Sequence, residues 1–335
     1  MRRLSIFASG ALIGLFLLAS CSNSGENSED LLRVMFFSSN WGDYSIKIAD
    51  DILSLEDGVT ATPREIKGDS TTITNPAVDS LAVDRARAIV YMSDTDTGKV
   101  LVYDNASTVN GDVMPDRTIE ITGATRLEGI DVFSDSTDRL FVGGDDGSGG
   151  HLWIFDNAST LNGSPTPDAV IDITIMSVFV DEENDLLYAG EEYNENNRIY
   201  VFENASSYTT GTAASRTITL TDDIDPTGLW VDQGSDRLFV CDNGGSSGDN
   251  YLFVFEDAST MNGSYDPDTD SAARIGVQSI SLMVDHMDNL YAWTDSADHV
   301  KIYYNASTLS GDISGPDKTV YGVVNGGYGM DYIPF

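Results

Sequence analysis

One unit recurs six times through nearly the whole chain, and no other feature limits the possible folds as tightly. Its clearest copies are Val100-LVYDNASTVNG, Leu152-WIFDNASTLNG, Ile199-YVFENASSYTTG, Leu252-FVFEDASTMNG and Val300-KIYYNASTLSG, with a degenerate copy at Ile46-KIADDILSLEDG. The equivalent polar positions are Asp51, Asn105, Asn157, Asn204, Asp257 and Asn305, spaced by 54, 52, 47, 53 and 48 residues. A second marker stays in phase upstream of the next copy: Ser80-LAVD, Gly129-IDVF, Ser177-VFVD, Gly228-LWVD, Ser281-LMVD and Gly329-MDYI. After most of these comes a polar turn and another apolar run, as in Asp138-RLFVGG, Asp185-LLYAGE, Asp236-RLFVCD and Asn289-LYAWTD. A period of this size signals a propeller or a solenoid.

Each unit holds four short apolar or alternating runs bounded by Gly, Asp, Asn and Pro, without sustained helical periodicity. Four strands per unit and six units over residues 31–335 predict an all-β fold, a six-bladed β-propeller with four antiparallel strands per blade. The ends complement each other. Leu32-RVMFF matches the second strand of a blade, and Gly329-MDYIPF matches a first strand. The C-terminal strand is therefore expected to join the first blade and close the ring, burying strand edges that would otherwise stay unpaired.

The stretch Pro226-TGLWVDQGSDRLFVCDNG, running on to Leu252-FVFEDAS, resembles the NHL-repeat propellers and their YncE-like relatives. The resemblance spans residues 31–335 and implies the architecture. Such rings serve as scaffolds, ligand binders and enzymes, so it implies no single function.

The chain carries 54 acidic against 18 basic side chains, a net charge of −36, which argues against nucleic acid and anionic lipid surfaces as partners. Residues 1–20 read as a signal peptide: Arg2 and Arg3 precede an apolar run, Leu4 to Leu18, too short for a comfortable membrane span. Leu18-Ala19-Ser20-Cys21 resembles the lipobox of bacterial lipoproteins, which implies lipidation of Cys21, cleavage after Ser20 and anchoring in the cell envelope. Ser22 rather than Asp follows the cysteine, so the same resemblance implies the outer membrane if the host is Gram-negative. Residues 21–30 read as a flexible tether. Cys241, in an apolar run, has no cysteine left to pair with and reads as an inert core thiol.

In Asn-Ala-Ser-Thr-x-Asn-Gly, the first Asn is expected to cap the following turn through its side chain, and Asn-Gly to supply a left-handed ending. The Asn-x-Ser/Thr sequons at Asn105, Asn157, Asn204 and Asn305 read as turns rather than glycosylation sites, given the lipobox. Loops between second and third strands vary in length and are rich in Asp, Asn and Gly, so their face is the expected binding face. It offers Asp145, Asp146, Asp242, Asp249, Asp295 and Asp298, with Trp41 and Trp293 as aromatic candidates. Hairpin tips need the same residue types for their own geometry.

Asp94 and Asp96 sketch an Asp-x-Asp-x-Gly arrangement that a calcium ion could use, although the later ligands of an EF-hand loop are missing. Glu128, Asp131, Asp225 and Asp331 lie near the innermost-strand mouths, where the SMP-30/lactonase relatives hold a metal; the match to that pattern is incomplete. His151, His286 and His299 are scattered over different blades and predict no zinc site. The recurrent aromatics Trp153, Phe155, Tyr200, Phe202, Phe253, Phe255, Tyr303 and Tyr304 read as inter-blade core. The expectation is a monomeric, lipid-anchored envelope propeller that binds a protein, saccharide or cation. The alternative is a metal-dependent hydrolase or lyase with its site at the channel mouth.

Overall fold

A computed structural model describes residues 34–39, 44–73, 78–134, 137–191, 197–221, 224–242, 251–277, 279–294, 298–323 and 329–334. Six sheets follow one another around an axis. Their innermost strands are, from blade 1 to blade 6, Met330–Ile333, Val78–Asp84, Arg126–Phe133, Ile175–Asp181, Pro226–Asp232 and Ser279–Val284. Each sheet continues outward through three more antiparallel strands, from Val34–Ser39, Ser45–Asp50 and Arg64–Ile66 in blade 1 to Asn289–Thr294, His299–Tyr304 and Lys318–Tyr321 in blade 6. The ring closes as expected: Val34, Met35, Phe36 and Phe37 pair with Ile333, Tyr332, Asp331 and Met330. One apolar cluster fills each inter-blade space; Tyr91, Trp153 and Phe155, for instance, lie between blades 2 and 3.

The small residue of the upstream marker is a steric requirement. Around the ring it reads Gly329, Ser80, Gly129, Ser177, Gly228, Ser281, so glycine and serine alternate from blade to blade. A Cβ on Gly129 would lie 2.8 Å from Met176 O and 2.9 Å from Ser177 Cα, and one on Gly329 would lie 2.9 Å from Ser80 Cα. Neighbouring innermost strands thus approach too closely there for a larger side chain. The closing Asp of the marker also has a local task. Asp84, Asp181, Asp232 and Asp285 accept backbone N–H groups of Arg87, Asn184, Gly234 and Met287, each building the hairpin to the second strand as an Asx turn.

The recurrent Asn does not cap its turn through the side chain. Asn157, Asn204 and Asn305 sit in the left-handed region at φ 57–58° and make no side-chain capping bond. Asn is chosen there for its tolerance of that conformation. The serine two residues later makes the fixed contact instead. Asp138, Asp185, Asp236 and Asp288, on the preceding hairpins, each accept both the backbone N–H and the hydroxyl of Ser159, Ser206, Ser259 and Ser307. The later Asn works between blades: Asn110, Asn162 and Asn262 accept the N–H of Glu65, Thr118 and Thr217 on the outermost strand of the preceding blade.

A cation bridges every inter-blade seam at the same height. Arg64, Arg117, Arg139, Arg216, Arg237 and Lys318, one per blade, donate to carbonyls of the turn in the next blade. Arg64 reaches Ser107 and Val109, Arg117 reaches Ala158, and Arg139 reaches Ala205 and Tyr208. Arg216 reaches Ala258 and Met261, Arg237 reaches Ala306 and Leu309, and Lys318 returns to Leu53 of blade 1. These carbonyls lie in or just after a single helical turn, which leaves most of its C=O groups short of partners. In four blades the cation begins the outermost strand. Blades 3 and 5 have Ala169 and Ala273 at that position, and there Arg139 and Arg237, at the start of the second strand, replace it. Several latches are braced by an acid of their own blade, as in Arg139–Asp156 at 2.6 Å and Arg64–Asp50 at 2.8 Å.

Arg139 is almost wholly buried, so Arg139→Ala should lower the unfolding free energy by about 1.5–3 kcal/mol, the usual worth of a hydrogen bond to a charged group. Adding Ala169→Arg should recover part of that loss, because the second position serves the same carbonyls in other blades. Urea midpoints of the three proteins check this; an unchanged midpoint for Arg139→Ala would show that the latch contributes nothing.

Candidate functional site

The axial channel is filled by the chain's own side chains at the end where the first-to-second-strand hairpins emerge. In the marker, the third position is the one that never settles on a residue type. Around the ring it is Asp331, Ala82, Asp131, Phe179, Trp230 and Met283. Arg85, on the blade 2 hairpin, reaches across the axis to blade 5. Its guanidinium lies 5.6 Å from the Trp230 ring and 4.7 Å from the Tyr332 ring. His286 of blade 6 stacks against Tyr332, with ring centroids 6.0 Å apart at an interplanar angle of 11°. Phe179 of blade 4 packs 5.0 Å from Trp230. The order His286, Tyr332, Arg85, Trp230, Phe179 forms one file of rings and guanidinium drawn from five blades.

Carboxylates hold the file in place. Arg85 Nη2 donates to Asp331 Oδ1 at 2.7 Å, and its Nε donates to the Tyr332 carbonyl at 3.2 Å. Burial, the largest single influence, would weaken the guanidinium's hold on its proton, but the charge and hydrogen bond of Asp331, with Tyr332 and Asp131, together outweigh it and raise the pKa. Asp331 also accepts the N–H groups of Val83 and Tyr332. Asp131, from blade 3, accepts those of Val132 and Val180. Asp131 is half-buried in the wall of the channel, with protein packed around most of it. Burial, with Asp331 adding repulsion, pushes its carboxyl up to about 8, against the pull of those N–H donors and Arg85.

Below the plug the six innermost strands enclose about 60 Å³, room for a few waters and far below the roughly 300–1,000 Å³ of ligand pockets. Above it, on the outer side, lies an open depression of about 490 Å³ whose lining includes Arg85, Trp230, Tyr332, His286, Glu183 and Asp232. The functional face that the geometry offers is thus the face of the hairpins and repeat turns.

The residues expected on the opposite face are dispersed. Trp293 is 1% exposed and belongs to the core between blades 6 and 1, so it presents no binding surface. It lies on the second strand, where alternation turns it inward. Asp242 is likewise buried, its carboxylate accepting the N–H of Asp225. Asp145 and Asp146 are partly exposed and shape their own loop. The N–H and hydroxyl of Ser148 hold the Asp146 carboxyl down at about 2. Asp298 is exposed. Cys21, Trp41, Asp249 and Asp295 lie outside the described residues.

Asp94 is buried in its hairpin, where Thr97 and the Asp96 N–H donate to it; burial still pushes its carboxyl up to about 6. Its Oδ1 and the Thr95 hydroxyl have no hydrogen-bond partner among the described residues. His151 lies 3.0 Å from Asp172 and 3.1 Å from Asp146, far around the ring from His286, and no group of three metal-ligating side chains occurs among the described residues. Cys241 is fully buried, which pushes its thiol pKa up and leaves it inert. Most of the repeated aromatics are core, but Tyr304 is substantially exposed and Tyr200 half-buried.

Sequence reasoning singled out Asp131 and Asp331 but missed Arg85, Trp230, Tyr332 and His286. The available signal was irregularity: Trp230 occupies the unsettled position of an otherwise regular marker, Tyr332 directly follows it, and Arg85 and His286 directly follow the marker's closing Asp.

No protein-family model matches the sequence, and no curated protein does. Among solved structures, one chain of a nidogen/laminin complex superposes on 90% of this chain and 98% of its own length, with a TM-score of 0.58 at 13% identity. At that identity the likeness establishes the β-propeller fold and nothing finer.

Asp131 yields a pH test. Its carboxyl titrates near 3.9 in an unfolded chain and at about 8 in the fold, so folding favours the protonated form. Its contribution to stability is complete below about pH 4 and is lost as pH rises toward 8. The stability of the wild type relative to Asp131→Asn should therefore fall between pH 4 and 8 and level off above. Denaturant melts across that range check it; a difference independent of pH would refute the shift.

Proposed function

We propose that this protein is a lipid-anchored cell-envelope propeller that works as a binding module for a protein partner. The observation that carries the reading is the axial plug. Arg85 and its aromatic neighbours fill the channel, while a broad mouth outside them stays open. A closed channel with an open face suits recognition of a large surface better than turnover of a small substrate. The likeness to a propeller chain from a nidogen/laminin complex is in keeping with a protein partner. The NHL-repeat and YncE-like affinity, the lipobox and the envelope address rest on the sequence motifs given above.

The lactonase-type alternative loses support at its donor set. Asp131 and Asp331 direct their oxygens at backbone N–H groups and at Arg85, and Glu128 pairs with Arg126 at 3.0 Å. Carboxylates so engaged do not fit a catalytic ion, and no step through one is derived.

A calcium ion at the Asp94–Gly98 hairpin is a second reading, supported by the buried, unpartnered Asp94 Oδ1 beside the Thr95 hydroxyl. It predicts one bound ion per chain and a melting temperature that EDTA lowers and calcium restores. Identical melts in EDTA and in calcium would remove it.

Two experiments test the main reading. Cys21→Ser should move the protein from the membrane fraction to the soluble one; if it stays anchored, the lipoprotein assignment fails. Photo-crosslinkers placed singly at Met287, beside the mouth, and at Asp146, on the opposite face, should yield a discrete protein adduct from intact cells. No adduct from either position would count against a binding module.

A further inference from the structure

We propose that the axial mouth receives an arginine side chain from a basic segment of the partner, seated over the exposed end of the ring file and paired with Glu183, with the charge of Asp232 beside it. This rests on the binding-module reading and specifies its chemistry.

Three observations lead there. The first is charge. The chain's net charge is −36, and six of its cations are engaged in the latches between blades. At the mouth the one basic side chain in the lining that is charged at every working pH is Arg85, and Asp331 at 2.7 Å offsets it. Glu183 and Asp232 then leave the depression negative, so a cationic group is the complementary occupant. The second is shape. Flat groups line the depression: His286 lies open to solvent on top of Tyr332, and Trp230 is half-buried beside it. A planar guanidinium can stack on such faces while its edge reaches carboxylates, which a compact ammonium cannot do equally well.

The third is internal precedent. Arg85 already makes this combination of aromatic faces and carboxylate one layer deeper. On the rim, Arg274 repeats it, lying 4.7 Å from the Tyr251 ring while bonding Asp268 and Asp312. An incoming arginine would extend an arrangement this chain builds twice for itself.

The test uses the purified chain and the synthetic peptide Gly-Arg-Gly-Arg-Gly, with its lysine counterpart as control, titrated by calorimetry in physiological salt. The arginine peptide should bind at least about ten-fold more tightly than the lysine peptide, the size of preference a stacked, bidentate guanidinium supplies. Glu183→Lys and His286→Ala, both at exposed positions and verified by thermal melts, should each weaken it by about ten-fold, whereas Asp146→Asn should leave it unchanged. Equal affinities for the two peptides, or an equal loss in Asp146→Asn, would overturn the proposal in favour of a diffuse acidic field. Saccharide binding that disappears in His286→Ala would overturn it in favour of a sugar-stacking platform. The crosslinking experiment separates the two levels: adducts from Asp146 alone sink this inference but keep the binding module, and adducts from neither sink both.

Discussion

Everything in this molecule depends on holding six sheets around an axis where neighbouring innermost strands meet too closely, at one position of each, for a side chain larger than serine. The glycine and serine ring permits the approach, and the inter-blade cations keep it. Each cation satisfies carbonyls on a neighbouring blade, so no blade completes its own hydrogen bonding. The last donor, Lys318, serves the first blade, and the C-terminal strand adds the innermost edge there. The interactions form a closed circle rather than a stack with two ends. Loosening any seam therefore exposes polar groups in two blades at once.

The repeat made the architecture legible because it records what every blade must do. The marker Asp builds a hairpin in four blades, and in four the serine of Ala-Ser-Thr is fastened to a hairpin acid; both recur because the same local task recurs. Two readings failed for one reason: local patterns do not report partners that lie far off in sequence. The first Asn looked like a side-chain cap but serves backbone conformation, and the true partner of its turn lies about twenty residues earlier, at Asp138 or its equivalents. Trp293 looked displaced toward a loop, yet strand alternation places it in the core. The latch was hidden because its donor occupies one of two positions, on the second and fourth strands, that strand pairing brings to either side of the third.

The axial mouth was the least legible part, and it is where the blades differ. A repeat constrains a position only when every copy has the same task. At the axis six copies meet at one point, and six identical side chains would either clash or repel. Asp131 and Asp331 can share that space with Arg85 because the other contributors are apolar and because the Asp131 carboxyl keeps its proton well above the usual carboxylate range. Burial, the like charge of Asp331 and the backbone donors together set which of these groups carries charge.

The paired Asn-Gly steps of the rim bear on how the protein ages. Asn-Gly is ordinarily the dipeptide quickest to lose its amide, because the unencumbered glycine nitrogen can attack the asparagine side chain and close a succinimide. Here the nitrogen of Gly111 is bonded to the carbonyl of Glu65 at 2.6 Å, and that of Gly163 to Thr118 at 2.7 Å. The asparagine oxygens are meanwhile turned toward the preceding blade. The ring thus shields these two chemically fragile steps by making them part of its seams, and their slow decay would serve as a clock for blades coming apart.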